Sequence, residues 1–177
     1  MSKEIKVSLV GNPNTGKTSI FNSLTGLNQK IGNYPGVTVD KKEGIYYSQN
    51  GTKVKILDLP GIYSLNATSA DEHIVVKLLT NSENKDFPDL AVIISDIENL
   101  KRNLFLFTQV KDLKIPCLLV INMIDVMEKK GVSLNIPVLE KKLNTKIVLV
   151  STKKNIGVVE LKRLIENYKD FSKKKTI

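Results

Sequence analysis

Gly11-Asn12-Pro13-Asn14-Thr15-Gly16-Lys17-Thr18 lies between a strand-like run, Ile5-Lys6-Val7-Ser8-Leu9-Val10, and a helix-like run, Ser19-Ile20-Phe21-Asn22-Ser23-Leu24. The stretch matches the phosphate-loop pattern G-x-x-x-x-G-K-[ST] in full, with the strand before it and the helix behind it that the pattern requires. A polyphosphate is cradled when successive backbone N–H groups point inward, and Gly11 and Gly16 let the chain turn without a Cβ in the way. The helix opening near Gly16 adds the positive end of its dipole. The expected cradle therefore comprises Gly11, Asn12, Pro13, Asn14, Thr15, Gly16, Lys17, Thr18 and Ser19. Lys17 reaches the β- and γ-phosphates as a mobile charge, and the Thr18 hydroxyl stands where a bridging Mg²⁺ needs a ligand.

Outward from that loop, 177 residues with 41% hydrophobic and 25% charged content specify one globular domain. The single cysteine, Cys117, lies in the apolar run 115–120, so no disulfide framework exists and a buried structural thiol is expected. No leader pattern opens the chain, and its apolar runs are strand-length, short of the roughly 20 residues that cross a bilayer. The net charge of +9 raises a nucleic-acid partner. The lysines, however, come in scattered pairs, Lys41-Lys42, Lys129-Lys130, Lys141-Lys142 and Lys153-Lys154, in the manner of a solvated surface. No nucleic acid is expected; contact with an anionic membrane leaflet needs independent support.

Along the chain, Ile20, Phe21 and Leu24 predict a first helix ended by Gly26. Residues 28–42 show no sustained period and predict a long mobile loop. Runs 44–48 and 53–58, joined through Asn50-Gly51, predict an antiparallel hairpin. The second run ends in Asp58-Leu59-Pro60-Gly61, where Asp58 is placed to hold Mg²⁺ from a strand end and Gly61 to offer its N–H to a γ-phosphate. Ile74, Val75, Leu78 and Leu79 mark a helix with His73 on its surface. Two buried strands, 90–95 and 115–121, flank a helix marked by Leu100, Leu104, Phe107 and Val110. The second of these strands ends in Asn122-Met123-Ile124-Asp125, and the Asp125 carboxylate can accept from guanine's N1–H and exocyclic amine, which adenine cannot match. A short helix at 138–143, a strand at 146–150, the loop Ser151-Thr152-Lys153 against a purine oxygen, and a closing helix to Tyr168 complete the chain's elements. Residues 1–168 form the domain; 169–177 are a basic tail or the start of a linker.

In this order and on these elements, the motifs resemble the five nucleotide motifs of the Ras-like P-loop GTPases. More narrowly, the phosphate loop, Gly32-Asn33-Tyr34-Pro35-Gly36-Val37-Thr38-Val39 with Lys42-Glu43-Gly44, Asp58-Leu59-Pro60-Gly61 running into Tyr63-Ser64-Leu65, Asn99-Leu100-Lys101-Arg102-Asn103-Leu104 and Asn122-Met123-Ile124-Asp125 are similar to the amino-terminal G domain of the prokaryotic ferrous iron transport protein B family. The resemblance implies a three-layer α/β/α fold with a mostly parallel six-stranded sheet, one antiparallel edge strand and about five helices. It implies GTP or GDP as ligand, Mg²⁺ held by Thr18, Thr38 and Asp58, and guanine read by Asn122 and Asp125, with Met123 in the nucleotide-binding set between them and Ser151, Thr152 and Lys153 as fifth motif. The expected catalytic set is Lys17, Thr38, Asn14 and Gly61, with Asn14 as an expected ligand of a stimulating K⁺. The expected partner is a membrane permease domain of the same longer protein, which places this chain, as a fragment, at the cytoplasmic face of the cell membrane. Self-association as a homo-oligomer is left open.

Two departures from the general GTPase pattern matter. Met123 replaces the usual lysine of N-K-x-D, as in sequences of the resembled family. Ile62 stands where Ras-like enzymes carry a glutamine that orients the attacking water, so hydrolysis is expected to be slow in isolation. An RNA- or ribosome-associated GTPase and a non-hydrolysing guanine-nucleotide sensor are the alternative readings.

Overall fold

β5 (Leu90–Asp96) is buried at all seven positions, the mark of a strand covered on both faces. The structure, a computed structural model, describes residues 4–172. Around β5 it arranges β1 (Glu4–Gly11), β2 (Gln29–Asn33), β3 (Asp40–Tyr47), β4 (Lys53–Asp58), β6 (Cys117–Asn122) and β7 (Lys146–Leu149). The seven-stranded sheet has the order β2-β3-β4-β1-β5-β6-β7. The strands from β4 through β7 run parallel, while β2 and β3 are antiparallel to their neighbours.

Alternation along β1 divides the core. Ile5, Val7 and Leu9 face a cluster completed by Phe21 and Leu24 of α1 (Lys17–Thr25) and Leu161 and Ile165 of α6 (Val158–Glu166). Val10 faces the other cluster, with Val75, Leu78 and Leu79 of α2 (Ala70–Thr80) and Leu106, Phe107 and Val110 of α3 (Leu100–Asp112). Each such side chain contributes about 1.5–3 kcal/mol of burial. The three-layer fold thus opens every parallel strand's carboxyl end at one rim, where ligands of such sheets bind. Among the described residues no helix is long and apolar enough to cross a membrane. Cys117 is part-buried, its Sγ donates to the Ile115 carbonyl at 3.1 Å, and burial pushes its pKa up to about 12, so it is an inert structural thiol.

The sheet has one strand more than expected, two antiparallel strands instead of one, and seven helices among the described residues. The extra strand is β2, within the stretch expected to be a mobile loop. All five of its residues are exposed, so it carries no apolar alternation; main-chain pairing to β3, from Gln29↔Gly44 to Asn33↔Asp40, makes it a strand. α4 (Ile124–Lys129) is a six-residue helix that grows from the N-x-x-D turn, and α5 (Ile136–Leu143) is the expected short helix, capped by Asn135. α7 (Tyr168–Ser172) crosses the expected boundary at 168, and Phe171 packs on the first core cluster, so the packed body continues where a tail was expected. Residues 173–177 of that tail lie outside the described residues.

Candidate functional site

The phosphate loop leaves β1 and enters α1 through Gly16, whose φ of +83° is left-handed. The first turn of α1 has no side-chain cap, whereas Ser69 caps α2 and the Asn135 amide oxygen caps α5. Its N–H groups are therefore available to an anion. Asn122, 2% exposed, donates its amide to the Thr15 carbonyl at 3.0 Å and so ties the end of β6 to the phosphate loop. Asn12 turns its side chain into the protein, 1% exposed, so its share of any cradle is through its main chain. Asn14 is exposed at φ 65°.

Lys17, Thr18 and Asp58 meet at the ends of β1 and β4. The Asp58 carboxylate accepts from Lys17 Nζ at 2.8 Å and from Thr18 Oγ1 at 3.1 Å, with side-chain exposures of 10% for Lys17 and 3% for Asp58. Hydroxyl and carboxylate oxygens side by side are the donor set of a hard divalent cation, so these residues fit Mg²⁺. Gly61 is pressed on the same loop: a Cβ there would come within 3.0 Å of the Pro13 ring. Thr38 is exposed on the tip of the β2–β3 hairpin, a turn held by Tyr34 N–H donating to the Val39 carbonyl at 3.0 Å. The Lys42↔Asp58 register puts that tip at the rim of the phosphate loop. Among the described residues no hydrogen bond joins Thr38 to Thr18 or Asp58, or the hairpin to Asn14.

At the other end of the rim, Asp125 Oδ1 accepts from Ser151 Oγ at 2.8 Å, and both residues are buried. That hydrogen bond holds the Asp125 carboxyl below its ordinary pKa, with lesser help from Lys153 and Lys154. An ionised Asp125 thus keeps Oδ2 as an acceptor. Ser151 is fixed in turn by a two-way main-chain bridge to Ile156. Met123 takes a left-handed turn at φ 63°, directing the chain into α4 so that Asp125 lies in that helix's first turn. Thr152 is half-buried and Lys153 exposed beside them. Two neighbouring lysines are paired with acids, Lys130 with Glu98 and Lys154 with Glu128 at 2.7 Å.

Ile62 is fully buried in the second core cluster with Val10, Tyr34 and Leu59. It points away from the rim and braces the loop after Asp58. Ile62→Ala is accordingly expected to destabilise the fold by about 2–4 kcal/mol through its cavity, read as a lower midpoint in urea. Well below that midpoint, single-turnover nucleotide hydrolysis should stay within a few-fold of the parent. An unchanged midpoint, or a collapse of the rate with the fold intact, would contradict this placement.

Motif reading quotes Asn99 and Asn103 and misses Asp96, which joins them. Its Oδ1 accepts from the Asn99 main chain at 2.8 Å and the Asn99 amide at 2.9 Å, and Oδ2 accepts from the Asn103 amide at 2.9 Å. The signal was present: two asparagines one helical turn apart, just after a buried strand ending in aspartate.

The family model described as "Ferrous iron transport protein B" matches residues 5–165. The chain is 44% identical over 176 residues to the Fe(2+) transporter FeoB of Leptospira biflexa, covering 99% of this chain and 25% of that protein. It therefore spans about a quarter of the length of that curated relative. The crystal structure of the G domain of the T. maritima FeoB iron transporter superposes with a TM-score of 0.85 at 36% identity, covering 94% of this chain and 99% of that one. The cytosolic domain of the same transporter in a GDP form superposes with a TM-score of 0.88 at 36% identity, over 100% of this chain and 66% of that one.

Proposed function

The chain belongs to the ferrous iron transport protein B family, and from that premise we propose that it binds and hydrolyses GTP as the switch domain of a longer, Fe²⁺-transporting membrane protein, on whose cytoplasmic side it works. The observation that carries this reading is one rim with Lys17, Thr18 and Asp58 joined at one end and Asp125 joined to Ser151 at the other, the two ends a guanine nucleotide's phosphates and base would need.

Each role derives from the chemistry of its group. The main chain from Gly11 to Ser19 cradles the phosphates, Lys17 balances their charge, and Gly61 offers its N–H to the γ-phosphate. Thr18, Asp58 and, when the hairpin tip closes, Thr38 would hold Mg²⁺, which supplies charge for the β- and γ-phosphate oxygens. Asn122 braces the phosphate loop, Met123 turns the chain into α4, Asp125 reads the base's N–H edge, and Ser151, Thr152 and Lys153 form the loop around it. We take the domain through Ser172, because Phe171 packs on the core, and place the connection to the remainder of the longer protein after it.

The test is nucleotide titration followed by single-turnover hydrolysis. GTP and GDP should bind, ATP should not, and GTP should be turned over slowly. Retention of ATP, or bound GTP that stays intact, would overturn the reading.

Potassium stimulation is the finer part of the proposal. Residues 28–42 and 58–69 contain no arginine, and Ile62 is buried, so these segments provide no arginine finger for charge developing between β- and γ-phosphates. Asn14, exposed on the phosphate loop, offers the amide oxygen a monovalent cation would use. Hydrolysis is expected to be faster in potassium than in sodium at equal ionic strength, and Asn14→Ala to abolish the difference while keeping GDP affinity. Equal parent rates in both salts would remove potassium from the mechanism.

A further inference from the structure

α3 is bolted to the base-reading end of the sheet and then runs beneath the loop after Asp58. Its start is fixed by Asp96, which gathers Asn99 and Asn103 and stands in register with Asn122. Farther along, the Arg102 guanidinium lies 5.4 Å from the centre of the Tyr63 ring. The Gln109 side-chain oxygen accepts from the Leu65 main-chain N–H at 2.9 Å. Residues 102 and 109 are seven apart, about two helical turns, and so share one face of the helix.

The same segment is held from its other side by the phosphate loop. Ile62 N–H donates to the Gly11 carbonyl at 3.1 Å, and Gly61 rests on Pro13. Tyr63, by contrast, is 49% exposed, and the chain from Gly61 to Ser69 is irregular. Burial therefore does not secure Tyr63; Leu65 is half-buried against the second core cluster, and the two contacts from α3 add the orienting hold on both.

We propose that Arg102 and Gln109 are positioning residues for hydrolysis, fixing Tyr63 and Leu65 so that the Gly61 N–H stays aimed at the transferring phosphate. The inference rests on the GTPase reading above and deepens it. The contacts of both side chains are with the segment after Gly61, Arg102 with Tyr63 and Gln109 with Leu65. Their effect is on the alignment of Gly61, where a displacement of about 1 Å costs rate steeply.

The experiment compares Arg102→Ala, Tyr63→Leu and the double variant, and separately Gln109→Leu and Gln109→Glu. Single-turnover GTP hydrolysis, GDP affinity, thermal midpoint and amide exchange of residues 61–65 are read in each. Each of Arg102→Ala, Tyr63→Leu and Gln109→Leu should hydrolyse about 3- to 10-fold more slowly, in line with loss of one weak orienting contact. The Arg102/Tyr63 double variant should be no slower than the slower single one. Gln109→Glu keeps an acceptor oxygen and should recover the parent rate. GDP affinity and midpoint should hold while exchange at 61–65 quickens. Unchanged rates in variants of a hydrolysing parent, multiplicative losses in the double variant, a Gln109→Glu as slow as Gln109→Leu, or losses that merely track the midpoint would each overturn the inference. A parent that binds GTP without hydrolysing it would instead defeat the GTPase reading, and exchange at 61–65 would then decide the positioning alone.

Discussion

Asp125→Asn is expected to weaken GTP binding by about 10³-fold, or roughly 4 kcal/mol, and to let xanthosine triphosphate bind in its place. The structure makes the substitution unusually clean. Ser151 donates to Asp125 Oδ1, and an asparagine oxygen in that position still accepts, so the α4 turn and the Ser151 loop keep their geometry. What changes is the second atom, an acceptor that becomes an NH₂ donor facing guanine's own donors. Xanthine presents an acceptor there and restores the pairing. Ser151→Ala serves as the internal comparison: it leaves the carboxylate in place and loosens only its aim, so GTP affinity should fall far less. Unaltered GTP binding by Asp125→Asn, measured by titration with a fluorescent GTP analogue, would contradict the assignment of this residue to the base.

How much of this was legible in the sequence depends on where each signal is stored. Strands β5 and β6 are nearly continuous apolar runs because both faces are covered, and the phosphate loop is written in consecutive residues, so both are read directly. β2 is different: its stability comes from main-chain pairing at an edge, and exposed Gln29, Lys30 and Ile31 have no pattern to betray it. The α4 helix depends on Met123 adopting a left-handed turn, which methionine does not announce as glycine would. Thr38 was legible as a motif, but its place on an ordered hairpin tip was not, since the pairing that builds the hairpin is tertiary. The Arg102–Tyr63 and Gln109–Leu65 contacts join residues 39 and 44 positions apart. Helical spacing tells that 102 and 109 share a face, and only the packed structure tells what that face meets.

Gly16→Ala is the substitution expected to do most harm for the fewest atoms. At φ +83° an alanine incurs about 1–2 kcal/mol of backbone strain. Its Cβ would also collide with the Asn122 amide nitrogen, and that residue has nowhere to go: it is 2% exposed, its side chain donates to Thr15, and its main-chain carbonyl accepts from Ile97 N–H at 3.2 Å. Overpacking of this kind costs about 1–3 kcal/mol, and breaking the Asn122–Thr15 bond about 1 more. The least costly relief is a shift of the phosphate loop away from β6, which withdraws the cradle and separates it from the base-reading end. GDP affinity should therefore drop by about 10³-fold, as expected for roughly 4 kcal/mol, while the body of the core keeps a cooperative unfolding transition. Asn122→Ala in the same background supplies the decisive comparison, because removing the amide removes the collision. Gly16→Ala combined with Asn122→Ala should bind GDP no worse than Asn122→Ala alone, apart from the backbone strain. If Gly16→Ala on its own binds GDP within a few-fold of the parent, the joint between Asn122 and the phosphate loop is not what holds the two halves of the site in register.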